Sequence, residues 1–127
     1  MDINSETAEK IMGWHSYQGH NDSGWENDDG VKNPVWPWRP DWDMNQAKLI
    51  IEKMNDRGLS LLIEQSIIDP KNYKVSFLFC VDNKVAYVGT GEDHEGNLAK
   101  AICHAALDTL EDHKDYWGSP EGIEQSR

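Results

Sequence analysis

Between Trp14 and Pro40 the chain reads W-H-S-Y-Q-G-H-N-D-S-G-W-E-N-D-D-G-V-K-N-P-V-W-P-W-R-P, and neither a helical nor a strand period runs through it. Any fold open to these 127 residues is therefore built mainly from the flanks, with the aperiodic stretch laid over them. A connector this long inside one small domain is usually functional or disordered. Its rings argue against disorder: Trp14, Tyr17, Trp25, Trp36, Trp38 and, just beyond, Trp42 are the wrong residues for a segment that stays unfolded. The densest part, V-W-P-W-R-P-D-W-D at 35–43, puts three tryptophans and two prolines into nine residues. Either these rings seal a core or they wait for a partner.

The flanks are periodic. Ser5 followed by Glu6 and Glu9 predicts an N-cap with acids in the first turn, and Gly13 stops that helix after about two turns (5–13). Asp41 or Asp43 caps a second helix over 43–57, closed by Gly58. Met44, Ala47, Ile50, Ile51 and Met54 fall on one arc of it, leaving Gln46, Glu52, Lys53 and Asp56 for solvent. Three strand-like runs follow, L-S-L-L-I-E-Q-S (59–66), Y-K-V-S-F-L-F-C-V (73–81) and K-V-A-Y-V-G-T-G (84–91), and Asp82-Asn83 suits a tight hairpin between the last two. A third helix is expected over 95–112, with Leu98, Ala101, Ile102, Ala105, Ala106 and Leu110 facing inward and acids near its start. The tail 113–127 is Gly/Pro/polar and expected to fray. This order of helix, long loop, helix, three strands and helix is a single α+β domain with a small antiparallel three-stranded sheet.

Composition narrows the function. Lys+Arg 12 against Asp+Glu 23 gives a net charge of −11, which repels phosphate backbones, so no direct nucleic-acid binding is expected. The charge is uneven: residues 1–30 carry −6, residues 31–91 carry +1 and residues 92–127 carry −6. Termini of small domains often lie close together, which would merge both ends into one negative face. Asp28, Asp29, Glu92 and Asp93 are its candidate contact residues. The apolar runs fall far short of the roughly 20 residues that span a bilayer. With M-D-I-N-S-E at the start, no signal peptide or membrane association is expected, and a cytoplasmic location is the expectation. Cys80 and Cys103 fall in predicted strand and helix interiors, where reduced buried thiols are expected rather than a disulfide.

Three pieces of sequence resemble a known family. A-E-K-I-M-G-W at 8–14, the Pro/Asp-marked entry into the helix at 40–54, and A-I-C-H-A-A-L at 101–107 are similar to the phage alpha-beta-alpha (ABA) sandwich domain family of small bacteriophage and prophage proteins. The resemblance covers about residues 5–112. It implies a phage or prophage origin and a sheet layered with two or three helices, an α-β-α sandwich. It implies no catalytic residues. The longer, more acidic Trp-rich loop and the acidic tail depart from the family pattern, and a function particular to this chain would sit there.

No motif offers chemistry. Of the five histidines, His15, His20 and Asp22 form the only conceivable metal cluster, without the H-x-x-x-H or C-x-x-C spacing that advertises zinc, so no metal is expected. N-D-S-G-W-E-N-D-D-G (21–30) has calcium-loop composition, but its glycine is at the wrong offset and no glutamate closes it. G-T-G-E-D-H-E-G-N (89–97) looks like a phosphate cradle until its three acids are counted; a strand-to-helix turn explains it better. Cys103 has Ala99, Ala106 and Leu107 as helical neighbours and reads as packing, not as a nucleophile.

The tryptophan stretch remains. If extended, it directs Trp36 and Trp38 to one side. Some rings are expected to close the core while others, with Arg39, stay accessible as interface anchors. The candidate binding residues are therefore Trp25, Trp36, Trp38, Arg39 and Trp42. The leading expectation is a non-enzymatic phage accessory protein, without cofactor, that binds and inhibits a host macromolecule through its acidic surface and aromatic loop, with a host protein such as a component of bacterial antiviral defence as the expected partner. The alternatives are a sponge that stacks a nucleotide-like signal on Trp25, Trp36 or Trp38 with Arg39 and Lys32 as cations, and a virion or assembly component acting as a homo-oligomer. A homodimer is compatible with each.

Overall fold

The computed structural model describes residues 2–20, 23–82 and 84–113. The proposed fraying of 114–127 lies outside them. The first helix, α1 (Ile3–Glu6), is capped by Asp2, whose Oδ1 accepts the Ser5 N–H at 2.8 Å. Asp2 and not Ser5 is thus the N-cap, because the backbone is already helical when it reaches Ser5. α1 runs directly into a π-helical stretch, Thr7–Ile11. Gly13, at φ 74°, ends it, and the Trp14 N–H turns back to the Ala8 carbonyl at 2.9 Å. That reversal brings Ala8, Ile11 and Trp14 into the core together.

The connector is not without regular structure. Strands β1 (His15–Gln18) and β2 (Ser23–Glu26) pair antiparallel, with Tyr17 opposite Gly24. Asn33, at φ 49°, secures them: its Oδ1 accepts the Trp25 N–H at 3.0 Å and its Nδ2 donates to the Tyr17 hydroxyl at 2.9 Å. Gly24 is required where Asn33 lies, since a Cβ there would collide with the asparagine side chain. A hairpin held by a polar side chain leaves no apolar alternation to read.

Helix α2 (Met44–Asp56) starts at Asp43, whose Oδ1 accepts the Asn45 N–H at 2.9 Å. Ala47, Ile50 and Met54 are buried, but Met44 is 37% exposed and Gln46 is buried, the reverse of the arc expected for these two. Strands β3 (Ser60–Gln65), β4 (Tyr73–Val81) and β5 (Lys84–Asp93) pair antiparallel in that order, Leu61 opposite Phe77 and Phe77 opposite Gly89. The register shifts between Phe77 and Leu78. Asp82 turns the β4–β5 link at φ 52°; its expected partner in that turn, Asn83, lies outside the described residues.

β5 continues to Asp93, two residues past Gly91, and α3 (Leu98–His113) begins at Leu98 rather than Glu95. Glu95, the one acid between them, sits in a turn instead of a first helical turn. Asp93 Oδ2 accepts the N–H groups of Glu95 at 3.0 Å and Asn97 at 2.6 Å, and Asn97 Oδ1 in turn accepts the Lys100 N–H at 3.0 Å as the N-cap of α3.

Helix α3 lies along β5 and β4, and α2 packs on α3 and on β3. The approach of α3 to β5 is close enough that a Cβ on Gly91 would meet the Ala101 carbonyl and the Ala105 N–H, and one on Gly89 would meet Thr109. Small residues on both sides let backbone approach backbone. The A-I-C-H-A-A-L segment is therefore a packing surface, with Ala101, Ile102, Cys103, Ala105 and Ala106 all buried. Val75, Phe77 and Val88 of the sheet complete one core shared by every helix. Both cysteines are free; Cys103 is buried, but Cys80 is exposed, because it belongs to the face of β4 turned away from Val75 and Phe77. Among the described residues no helix is long and apolar enough to cross a membrane.

Candidate functional site

The tryptophans divide sharply. Trp38 is 6% exposed: its Nε1 donates to the Asn4 carbonyl at 2.9 Å and to Thr7 Oγ1 at 3.1 Å, and its ring meets Trp14. Trp36 is 65% exposed and Trp42 is 70% exposed. Trp25 is half-buried against the core. The expectation that Trp36 and Trp38 share one side is wrong, because residues 34–37 form bends rather than an extended strand, and hydrogen bonds from Trp38 to the first helix draw that ring inward. Trp38 is consequently a core residue and not a contact for a partner.

Three elements hold the segment that carries the exposed rings. From α2, Gln46 Nε2 donates to the Pro37 carbonyl at 2.8 Å while its Oε1 accepts the Arg39 N–H. From α1, the Asn4 Oδ1 accepts the Asp41 N–H at 3.3 Å. From the start of α3, Asn97 Nδ2 donates to the Asp41 carbonyl at 2.8 Å. Each bond satisfies a loop amide or carbonyl that has no strand partner. These bonds tie the loop backbone to the helices while Trp36 and Trp42 stay exposed.

Sequence reasoning missed Gln46, Asn4 and Asn97. Gln46 and Met44 both border the apolar arc of α2, and only the loop packed on that helix decides which of them is covered. Asn4 and Asn97 carry no periodic signal, although an Asn just before a helical run is itself a capping cue.

Between the presented rings lies an open groove of about 660 Å³, lined by Trp36, Pro37, Arg39, Trp42, Asp43, Met44 and Gln46. A second cleft of about 330 Å³ is lined by Trp42 with Met44, Asp93, Glu95, Gly96, Leu98 and Lys100 among others. Trp42 and Met44 line both depressions. Arg39 is exposed.

The expected acidic contacts do not gather there. Asp28 and Asp29 are exposed in the turn after β2, where Asp28 Oδ1 lies 3.2 Å from His15 Nε2 and the Asp29 N–H donates to Asn27 Oδ1 at 3.0 Å. Glu92 is exposed near His94 at 3.7 Å. Asp93 is buried and engaged by two backbone N–H groups, which removes it from the candidate contacts. Lys32 sits over the Tyr17 ring at 4.9 Å and is not beside Arg39 in the groove.

Among the described residues no group of three or more His, Cys, Asp or Glu could hold a metal ion; Asp22, a member of the metal cluster weighed above, lies outside them. Burial pushes the Cys103 thiol up to about 12, with the charge of Asp41 adding to the effect, which leaves it unreactive.

A family model described as the Phage ABA sandwich domain matches residues 7–107, from the π-helical stretch into α3. No curated protein and no solved structure is significantly similar to the chain. The match takes in the Ala8–Trp14 turn, both sheets and the glycine-to-alanine seam between β5 and α3, and it covers most of the chain: the protein belongs to the phage ABA sandwich domain family.

Proposed function

We propose that this chain is a non-enzymatic phage accessory protein that binds and inhibits a host protein, with antiviral defence components as the target class. The observation that carries the reading is the pair of exposed indoles, Trp36 and Trp42, on a loop bonded to three helices. Trp and Arg dominate the energetics of protein interfaces, and a fixed loop avoids the entropy of ordering on binding. The net charge of −11 supplies the second element, since it accelerates association with a basic surface. The inert Cys103 supports the non-enzymatic part. In the same proposal the β3–β4–β5 meander is the sheet layer of an α-β-α sandwich, for which the family match gives the support.

Affinity capture from a host lysate tests the reading. A partner retained at low salt, weakened at high salt and lost with a Trp36→Ala/Trp42→Ala variant is expected. Retention of the same partner by that variant rules the reading out.

A nucleotide-signal sponge is the second reading, favoured by Arg39 lying in the same groove as the two indoles. Stacking is worth about 1–3 kcal/mol per base, but with Lys32 engaged elsewhere the groove offers a phosphate only Arg39. Saturable quenching of tryptophan emission by cyclic or linear nucleotides would favour it over protein binding.

A further inference from the structure

We infer that two copies of this chain join edge to edge through β3, antiparallel about a two-fold axis at Leu62, so that two three-stranded sheets become one of six strands. This self-interface is separate from the Trp36 and Trp42 surface. The strand order β3-β4-β5 leaves β3 and β5 as the edges of the sheet. At the β5 edge the outward Thr90 N–H is taken up by α3, donating to Asp108 Oδ2 at 2.8 Å. On the outer side of β3 no described strand pairs.

The ladder fixes which groups β3 leaves open. The Ser66 N–H donates to the Asn72 carbonyl at 3.0 Å, and these two residues continue the register that sets Ser60 opposite Leu78 and Glu64 opposite Lys74. Hydrogen-bonded pairs alternate along an antiparallel ladder, so the even-numbered residues of β3 turn their N–H and C=O groups to β4 and the odd-numbered ones turn theirs away. The Thr90 bond gives the same phase from the other edge, since Thr90 stands opposite Ser76 and Ser76 opposite Leu62. Leu61, Ile63 and Gln65 thus carry outward donors and acceptors for which no described residue supplies a partner. Such a row is the template for strand addition, and edges are ordinarily blunted by Pro, Lys or a bulge. The segment S-L-L-I-E-Q has no Pro or Lys, and its pairing with β4 has no register shift.

The edge is complementary to itself. With the axis at Leu62, Leu61 of each copy stands opposite Ile63 of the other, on the face that Phe77 and Val75 share, while Leu62 meets Leu62 and Ser60 meets Glu64 on the reverse face. Leu61 and Ile63 then exchange about four N–H···O=C bonds, and each apolar side chain faces an apolar one. Ile63, 42% exposed in the single chain, is covered. The neighbouring registers are worse. An axis at Ile63 sets Leu62 against Glu64, one at Glu64 sets two carboxylates together, and one at Leu61 calls on the Leu59 N–H, which the Met54 carbonyl already holds at 3.2 Å.

Charge favours a second copy over a basic foreign strand. Residues 1–30 and 92–127 carry −6 each and residues 31–91 carry +1, so β3 belongs to the part of the chain where two copies repel least. Glu64 is the only charged side chain in β3. In this register the two Glu64 residues are four positions apart along the ladder, about 14 Å, beyond the screening length of about 8 Å at physiological salt. Ile67 and Ile68 follow the strand directly and are 97% and 96% exposed, which is adjacent apolar surface that one chain leaves in water. The two-fold carries them toward the start of β3 in the second copy.

Sedimentation equilibrium of the full chain over a range of concentrations, at physiological salt, tests this. The mass is expected to rise from one chain to two. Amide hydrogen exchange should show Leu61 and Ile63 gaining protection as the dimer fills, with Leu62 protected throughout. Ile63→Lys places a charge in the seam twice over and should weaken dimerisation at least about tenfold. Ile63→Pro should do the same, and because the Ile63 N–H serves no bond inside the sheet, the fold accepts it. In a Cys80→Ser background, which removes the exposed thiol, Leu62→Cys should cross-link two copies on mild oxidation and Ile63→Cys should not.

A single-chain mass at every concentration overturns the inference, as does a dimer indifferent to Ile63→Lys or cross-linking through Ile63→Cys as readily as through Leu62→Cys. So does a dimer lost in the Trp36→Ala/Trp42→Ala variant, since the copies would then meet through the loop. A foreign protein held in an Ile63-dependent way by a chain that stays single also overturns it. None of these outcomes bears on whether a host partner is captured through Trp36 and Trp42, so the proposed function stands or falls separately.

Discussion

The indoles of Trp14 and Trp38 meet edge to face, with ring centroids 4.7 Å apart and planes inclined at 66°. Trp14 ends the first helical segment and Trp38 belongs to the loop, so this one contact joins the start of the fold to the stretch that carries the exposed rings. Edge-to-face pairs add about 0.5–1.5 kcal/mol beyond the area they bury.

Removing Trp38 is expected to be costly. Trp38→Ala should lower the unfolding free energy by about 3–5 kcal/mol, the range for deleting a buried aromatic ring. Trp38→Phe keeps much of the volume but forfeits the donor to Asn4 and Thr7, at a cost of about 1–2 kcal/mol. Trp36→Ala and Trp42→Ala, which remove exposed rings, should stay within about 0.5 kcal/mol of the parent. Urea unfolding of the four variants checks the ordering, and equal losses for Trp38→Ala and Trp42→Ala would refute it.

Gln46→Ala strips both partners from the loop, the donor to the Pro37 carbonyl and the acceptor for the Arg39 N–H. Orphaned backbone groups cost about 1–3 kcal/mol. The local effect is the more telling one: chymotrypsin should cut after Trp42, which is followed by Asp43 and not by proline, faster in the variant than in the parent under native conditions. Equal cleavage rates would mean that Gln46 does not hold the loop.

The seam between β5 and α3 has no room for a methyl group. Gly91→Ala and Gly89→Ala should each destabilise by about 1–3 kcal/mol through overpacking. An exposed glycine-free control such as Lys84→Ala should change little, and thermal unfolding distinguishes the two groups. A Gly91→Ala protein as stable as the parent would show that α3 can shift away from the sheet at no cost.

The cysteines should react differently. Cys80 is exposed and is expected to take an alkylating reagent in the native protein, whereas Cys103 is expected to react only after unfolding. The Cys103 thiol, ordinarily at 9.0, is pushed up to about 12 by burial. Its contribution to stability is complete below pH 9 and falls as the pH rises toward 12, because the unfolded chain releases the proton first. Cys103→Ala should flatten that alkaline decline, measured by urea midpoints across the range.

The periodic parts of this fold are legible in its residues because burial of an apolar face is what both periodicity and packing express. Ala47, Ile50 and Met54 mark α2 in this way, as do Val75 and Phe77 in β4. The β1–β2 hairpin was not legible, since Asn33 and Gly24 secure it by a polar bond and a missing side chain. For the candidate site, composition singles out residues 35–43, and the structure leaves Trp36, Arg39 and Trp42 of them exposed. Which ring turns inward depends on Asn4 and Thr7, distant in sequence, and no local pattern encodes that choice. Asp93 misleads for a related reason: its carboxylate serves the turn into α3 and not the solvent.

Arg57, just past α2, reaches back to the carbonyls of Ile11 and Lys10 at 3.2 and 3.4 Å. Those are the orphan acceptors at the end of the first helical segment, a piece too short to persist alone in water. The first helical segment therefore leans on the end of α2 for the partners of these carbonyls, and on α3 for packing. The opening of the fold draws its shape from parts of the chain far from it in sequence.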